Sequence, residues 1–196
     1  KGVHFALELL AQQNRLLESI AIPPKSVINC KGKKVLVIGG GDTGSDCVGT
    51  ANRHGAANVT QIEIMPQPPV GHNPATPWPM YPQVLKTSSS HEEGCTRRWN
   101  LASVRFIGDK NILKGVEVEE VEWLPAKDSG RPEMRKTGRT EVIEADLVFL
   151  AMGFVHPEQE GLVKELSLAV DSRKNIAVSP ATNQVAGTNI FACGDA

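Results

Sequence analysis

An α/β fold, with a parallel sheet and a separate antiparallel three-stranded β-meander, is what the sequence predicts, and three observations predict it. The apolar run Val35 to Ile38 meets Gly39-Gly40-Gly41-Asp42-Thr43-Gly44 and then a segment able to form a helix, so strand, tight turn and helix stand in succession. Asp146 to Gly153, DLVFLAMG, is the nearly continuous apolar run of a strand buried on both faces. Between Ser103 and Ile143 the pattern turns to alternation, interrupted by Asp109-Lys110-Asn111 and by the polar stretch Lys127 to Gly138, which reads as three antiparallel strands.

Gly39, Gly41 and Gly44 stand in GxGxxG register. In that register the first glycine makes the tight turn, the second lets the backbone approach a pyrophosphate, and the third packs helix on strand. A phosphate would rest on the N–H groups of the helix start, at the positive end of the dipole. The first observation therefore predicts a Rossmann-like dinucleotide-binding domain, with Gly39, Gly40, Gly41, Asp42, Thr43 and Gly44 at the phosphates. Glu63 lies about 20 residues past the glycines, where an acidic side chain accepts hydrogen bonds from the adenosine ribose and repels a 2′-phosphate. That spacing favours NAD(H) over NADP(H). Arg53 and His54 are the cations that would argue for the phosphorylated cofactor.

Taken in order, the chain begins with Phe5, Leu9, Leu10, Leu16, Leu17 and Ile20 at helical spacing, an amphipathic helix that ends before Pro23-Pro24. After the glycine-motif helix, Gly55 sits where a C-cap glycine belongs, and Asn58 to Ile64 reads as the second strand. Met65 to Trp99 is proline-rich, without helical or strand period until Tyr81 to Lys86, and a segment so long is expected to cover a ligand or meet a partner. Ser90-His91-Glu92-Glu93 fits either a capping box opening a short helix toward Trp99 or a solvated polar turn. Glu117, Glu119, Glu120 and Glu122 crowd one strand and read as its wet face rather than as catalytic carboxylates. A helical stretch is expected over Glu158 to Leu166, weak strands on either side of Asp171 to Lys174, and a buried strand in the closing NIFACGDA, running into Gly194-Asp195.

Composition narrows the function. A formal net charge of -1 lacks the basic excess of nucleic-acid binders, and no apolar run is long enough to span a membrane, so no nucleic acid and no membrane partner are expected and the cytoplasm is the expected compartment. The 4 cysteines, Cys30, Cys47, Cys95 and Cys193, form no CxxC pair, and the 5 histidines lack ligand spacing. No metal site is expected, and Cys47 is expected to pack as a small apolar residue. The chain opens on Lys1 rather than Met, which reads as a piece of a longer protein.

The runs VIGGGDTGSDCVGTANRHGA, ADLVFLAMGF and TNIFACGDA, with GVHFALELLAQQNR, PWPMYPQ and SSSHEEG, resemble the small (beta) subunit of glutamate synthase along nearly the whole chain. That family is similar to two-dinucleotide flavoproteins, in which an NAD(P)-binding domain is inserted into an FAD-binding domain. The resemblance implies that Gly39 to Gly44 hold the nicotinamide nucleotide, that Ala151, Met152 and Gly153 lie near the domain crossover, and that Gly194-Asp195 reach FAD. It also implies residues 1–24 on the FAD side, 25–186 as the NAD(P) domain and 187–196 as the return to the FAD domain. FAD and iron-sulfur clusters would belong to the full-length protein, the clusters held by an upstream segment, and no flavin is expected on this piece.

The implied reaction is hydride transfer from NAD(P)H to FAD, feeding a large (alpha) subunit that makes glutamate. It needs orientation rather than a protein acid or base, so no catalytic residue is named. Glu63-Ile64-Met65-Pro66 stands where NADPH-using members carry an arginine pair, again favouring NADH. Two other readings compete: a related flavoprotein feeding a pyrimidine reductase or a ferredoxin, and a nucleotide-binding or docking module without chemistry. Without its own FAD domain, the apolar stripe of the first helix is expected to be exposed and open to self-association.

Overall fold

The computed structural model describes residues 1–80, 82–125 and 132–194. By compactness the chain divides into Lys1–Met152 and Gly153–Ala196. The first unit holds β1 (Val3–Phe5), α1 (Ala6–Leu17), β2 (Lys34–Ile38), α2 (Asp42–Arg53), β3 (Asn58–Ile62), α3 (Ser89–Glu92), β4 (Thr96–Arg98), β5 (Leu101–Asp109), β6 (Ile112–Leu124), β7 (Glu133–Glu144) and β8 (Leu147–Leu150). Its parallel sheet has the strand order β1-β8-β2-β3-β4, and β5-β6-β7 form the antiparallel meander, so the expected α/β architecture stands.

The two-residue period of a strand sorts the core into two clusters. Val35 and Val37 of β2, with Leu147 and Phe149 of β8, face Ala6 and Leu9 of α1 and Cys47, Val48 and Ala51 of α2. The alternate residues Leu36, Ile38 and Val148 face Leu113, Val116 and Val118 of β6. The sheet is therefore covered by helices on one side and by the meander on the other, which is why its strands read as unbroken apolar runs.

Helix α2 ends as the glycine predicted. The Gly55 and Ala56 N–H groups donate to the Asn52 and Ala51 carbonyls at 2.8 and 3.1 Å, and Gly55 has φ +78°, a Schellman closure. Cys47 is fully buried, as expected. Burial pushes its thiol up to about 12 and that of Cys30 up to about 11, so neither is a thiolate.

The first helix departs from its expected span. Phe5 belongs to β1, paired with Leu150, and Ile20 lies beyond the last turn. Three extended residues ahead of an amphipathic stretch carry no separate periodic signal. Leu9 is fully buried against α2, while Phe5 and Leu16 remain exposed. The Pro-Pro linker is pinned to α1 by the buried Gln12, whose amide donates to the Ile28 carbonyl at 2.8 Å and accepts from the Ile28 N–H at 2.7 Å.

In the meander, the second half of the polar stretch expected as a break is strand, because Glu133–Glu144 pairs along β6. Residues 127–131 of that stretch lie outside the described residues. The strand reads as polar because its charges are paired across the ladder, Lys136 with Glu119, Arg139 with Glu120 and Arg135 with Glu122; Arg105 of β5 pairs likewise with Glu117 of β6. Glu119 is nonetheless buried, and it accepts from the Gly138 N–H at 3.2 Å, beside the register shift between Glu119 and Val121.

The second unit has a small core of Val163, Leu168 and Val185, against which Ile176, Val178 and Ile190 pack. The helical stretch expected over Glu158 to Leu166 is broken, because Glu160 (ψ 153°) and Gly161 (φ 80°, ψ -124°) are not helical. The weak strands near Asp171 reduce to a single bridge, Val170 to Ile176. The closing run is likewise only a bridge, Gln184 to Phe191, with Phe191 63% exposed rather than buried. No helix among the described residues is long and apolar enough to cross a membrane.

Phe149 is the largest wholly buried side chain of the sheet. Phe149→Ala is expected to cost about 3–5 kcal/mol, read as a lower urea midpoint. Arg135→Ala removes an ion pair between half-exposed groups and is expected to move the midpoint by no more than about 0.5 kcal/mol.

Candidate functional site

Four glycines follow β2 in close succession, and their surroundings separate them. Gly39 has φ +124°, and a Cβ there would lie 2.1 Å from the Ala151 carbonyl oxygen, so only glycine lets the turn pass the end of β8. A Cβ on Gly44 would lie 2.3 Å from the Gly39 carbonyl oxygen, and one on Gly40 would lie 2.8 Å from Glu63 Oε2. Gly41 is different: its φ is -78°, and a Cβ there would meet nothing within 4 Å. Gly39 and Gly44 are demanded by the chain's own backbone, whereas at Gly40 the nearest atom is the end of the Glu63 side chain. The fourth leaves clearance outward.

That clearance opens at the start of α2. Ser45 N–H donates to the Gly41 carbonyl at 3.0 Å, and no side chain caps the helix at Gly41. The N–H groups of Asp42, Thr43 and Gly44 therefore precede the helical ladder and point along its axis, at the positive end of the dipole. A cavity of about 550 Å³ lies over this turn. Gly41 and Asp42 form its floor, Glu63, Arg97 and Trp99 one wall, and the proline-rich segment from Met65 to Ser88 much of the rest. The segment expected to lie over a ligand or meet a partner thus walls the cavity; its Tyr81 lies outside the described residues.

Glu63 follows the last residue of β3 and faces the cavity. Its Oε2 accepts from the Gly40 N–H at 2.6 Å and its Oε1 from the Met65 N–H at 3.0 Å. A carboxylate offers about four lone-pair sites, so acceptor capacity remains on both oxygens.

A second network braces the turn, and sequence reasoning missed it. Gln61 donates its amide to the Gly39 carbonyl at 2.9 Å, and its Oε1 lies 2.9 Å from His91 Nε2. Ser88 N–H donates to His91 Nδ1 at 3.2 Å, which leaves Nε2 as the donor to Gln61. The Ser88 hydroxyl meets that of Ser45 on α2. Ser88 and His91 form the capping box of α3, two residues earlier than the Ser90 to Glu93 box expected. The motif calls for Glu or Gln as the third helical residue, and His91 filled that role unrecognised.

Of the other expected residues, Ala151 and Met152 lie behind Gly39, and Thr43 sits in the first turn of α2. Gly153 and Gly194 belong to the second unit, both at positive φ, and Asp195 lies outside the described residues. Arg53 and His54 stand at the far end of α2, about 16 Å along the axis from the glycine turn. Arg53 is bonded to Glu93 through Nε at 3.1 Å and Nη2 at 2.6 Å, and His54 to Gln13 at 2.8 Å. The cations lining the cavity are instead Lys86 and Arg97, the latter on the unforeseen strand β4, whose three polar residues show no period. Among the described residues no cluster of three or more His, Cys, Asp or Glu could hold a metal ion.

Sheet order, glycine turn and cavity at the strands' carboxyl ends define the Rossmann class of dinucleotide-binding domain. The family model described as pyridine nucleotide-disulphide oxidoreductase matches residues 1–196, and the chain belongs to that family. It is 42% identical over 183 residues to the "Glutamate synthase [NADPH] small chain" of Mycobacterium tuberculosis, covering 90% of this chain and 36% of that protein. It is 35% identical to the "Glutamate synthase [NADH]" of Schizosaccharomyces pombe, over 100% of this chain and 10% of that protein. The chain thus spans about a third or less of these two relatives, and the resemblance read from its motifs is borne out. Among solved structures, T. acidophilum thioredoxin reductase shares the fold with a TM-score of 0.55 at 24% identity, over 84% of this chain and 44% of that one.

Burial, aided by the Arg97 charge, holds His91 below the usual imidazole range, and burial does the same to His54. As pH falls below 6.5 the unfolded chain takes up protons before the folded one, so stability is level above that value and declines beneath it. The thermal midpoint is expected to be lower at pH 5.5 than at pH 7.5. A His54→Gln/His91→Gln double variant should show a smaller drop over the same interval.

Proposed function

We propose that the chain is the NAD(P)H-binding, electron-input domain of a glutamate synthase small subunit, delivering hydride from NAD(P)H to FAD for glutamate biosynthesis. Gly41 carries the nucleotide reading. Neither its backbone angle nor any neighbouring atom requires glycine, so the missing side chain is explained by a ligand passing close to the helix start. In this reading Asp42, Thr43 and Gly44 present their N–H groups to the pyrophosphate, and Glu63 accepts from the adenosine ribose hydroxyls. The nicotinamide nucleotide, when bound, supplies the hydride. The chain's own residues bind it, orient it and, through the proline-rich wall, keep water from it.

Glu63 favours NADH, since a 2′-phosphate beside its carboxylate would meet like charge. The names of the relatives support the glutamate synthase assignment, one carrying NADPH and the words small chain, which point to a larger partner subunit, and the other carrying NADH. The flavin and iron-sulfur centres would lie on parts of the protein beyond this chain, with the segments before residue 25 and after residue 186 leading to the flavin domain. Exposed Phe5, Leu7 and Leu17 at the outer side of α1 support that placement for the first of these. Ala151, Met152, Gly153, Gly194 and Asp195 would then stand on the flavin side, and the cytoplasm would be the site of action.

Thermal-shift titration tests this reading. NADH is expected to raise the midpoint more than NADPH does; an equal or stronger response to NADPH would remove the role given to Glu63. Gly41→Leu is expected to abolish the shift while lowering the unliganded midpoint by no more than about 1 kcal/mol of capping preference. Gly39→Ala, by contrast, is expected to destabilise the unliganded protein by about 3 kcal/mol, because its side chain would strike the Ala151 carbonyl. A Gly41→Leu protein that still responds to NADH would place the nucleotide elsewhere.

A further inference from the structure

We infer that Arg97, backed by Trp99, is the shelf on which the adenine ring stacks; this rests on the nucleotide reading and adds the residue that receives its base. β4 runs parallel to β3 with Arg97 opposite Gln61, and Arg97 and Trp99, two residues apart, stand at the carboxyl end of the strand where it meets the cavity. The order of strands fits the order of the ligand. The pyrophosphate lies at the turn after β2, the ribose at Glu63 after β3, and the next strand, one spacing of about 4.8 Å further on, ends at Arg97 and Trp99.

The guanidinium is already held in place. Its Nη1 donates to the Lys86 carbonyl at 2.9 Å, and its Cζ lies 5.2 Å from the centroid of the Trp99 ring. Two tethers fix a planar cation against the cavity wall, so a ligand need not order a long flexible side chain. Its surroundings also distinguish it. Arg53, Arg98, Arg105, Arg135 and Arg139 each pair with a glutamate; among the described arginines without a carboxylate ion pair, Arg15 and Arg173 are exposed, whereas Arg97 is half-buried.

An aromatic base with electron-rich faces suits such a planar, unpaired guanidinium, through stacking and cation–π attraction. Adenine is that group in either nicotinamide nucleotide. The contact is indifferent to a 2′-phosphate, so it adds affinity without altering the choice that Glu63 makes.

Calorimetric titration of the 196-residue chain with ADP, and with ribose 5-diphosphate as the same group without its base, tests the inference. Arg97→Ala is expected to weaken ADP about tenfold and to leave ribose 5-diphosphate unchanged. Arg97→Lys keeps the charge but not the plane, and should lose nearly as much. If Arg97→Lys binds ADP like the parent, or if Arg97→Ala weakens both ligands equally, the residue serves phosphate by charge and the stacking role is overturned. Should Arg97→Ala fail to fold, the unaltered protein still decides, because ADP must bind at least about tenfold more tightly than ribose 5-diphosphate. NADH binding that survives with ADP indifferent to Arg97 defeats this inference alone, whereas an unaltered protein that binds neither ADP nor NADH defeats the nucleotide reading with it.

Discussion

The approach of Gly39 to the end of β8 is the constraint on which the rest of the first unit depends. With 2.1 Å between the position of a Cβ and the Ala151 carbonyl oxygen, the turn can pass only as bare backbone. Its N–H continues the sheet ladder by donating to the Ile62 carbonyl at 2.9 Å, and its carbonyl is held by Gln61. Because the turn is this tight, α2 begins directly over the strand ends and packs so closely that Gly44 too must lack a side chain. The helix start is thereby aimed at the carboxyl ends of the strands, where ligands gather in open α/β sheets.

Around that point most polar groups are engaged with one another, and a few also face the cavity. In the meander, Arg105, Arg135 and Arg139 pair with Glu117, Glu122 and Glu120 across the ladder. Gln61, His91, Ser88 and Ser45 form a braced chain behind the turn, which couples the end of the proline-rich wall to the glycine motif. Glu63 serves both purposes, capping the Gly40 N–H while facing the cavity. Such preorganisation is what the proposed role, holding a reactive nucleotide in one orientation, calls for, since the barrier to hydride transfer is lowered chiefly by placement.

Two of the cysteines are held as protonated thiols. Cys30 and Cys47 are pushed up to about 11 and about 12 by burial within the helix-side core. A thiol that stays protonated cannot attack or leave as thiolate, so these two residues act as packing.

The sequence by itself determined the features whose cause is local. A glycine register between an apolar strand and a helix, a Gly at the C′ position of α2, the two-sided apolar run of β8 and the alternation of β6 each encode their own geometry in a few consecutive residues. Glu63 was legible for the same reason, since its spacing from the glycines is set by one strand and one helix. Only the tertiary structure decided what depends on distant chain segments meeting. β1 and β4 are three-residue strands that exist because β8 and β3 offer them edges, and no period announces so short a piece. Gln61 and His91 lie 30 residues apart and become partners only when α3 folds back on the sheet. Most of all, the four glycines look alike on paper. The contacts around them set Gly39 and Gly44, hemmed in by backbone, and Gly40, lying against the Glu63 side chain, apart from Gly41, where a Cβ would meet nothing within 4 Å.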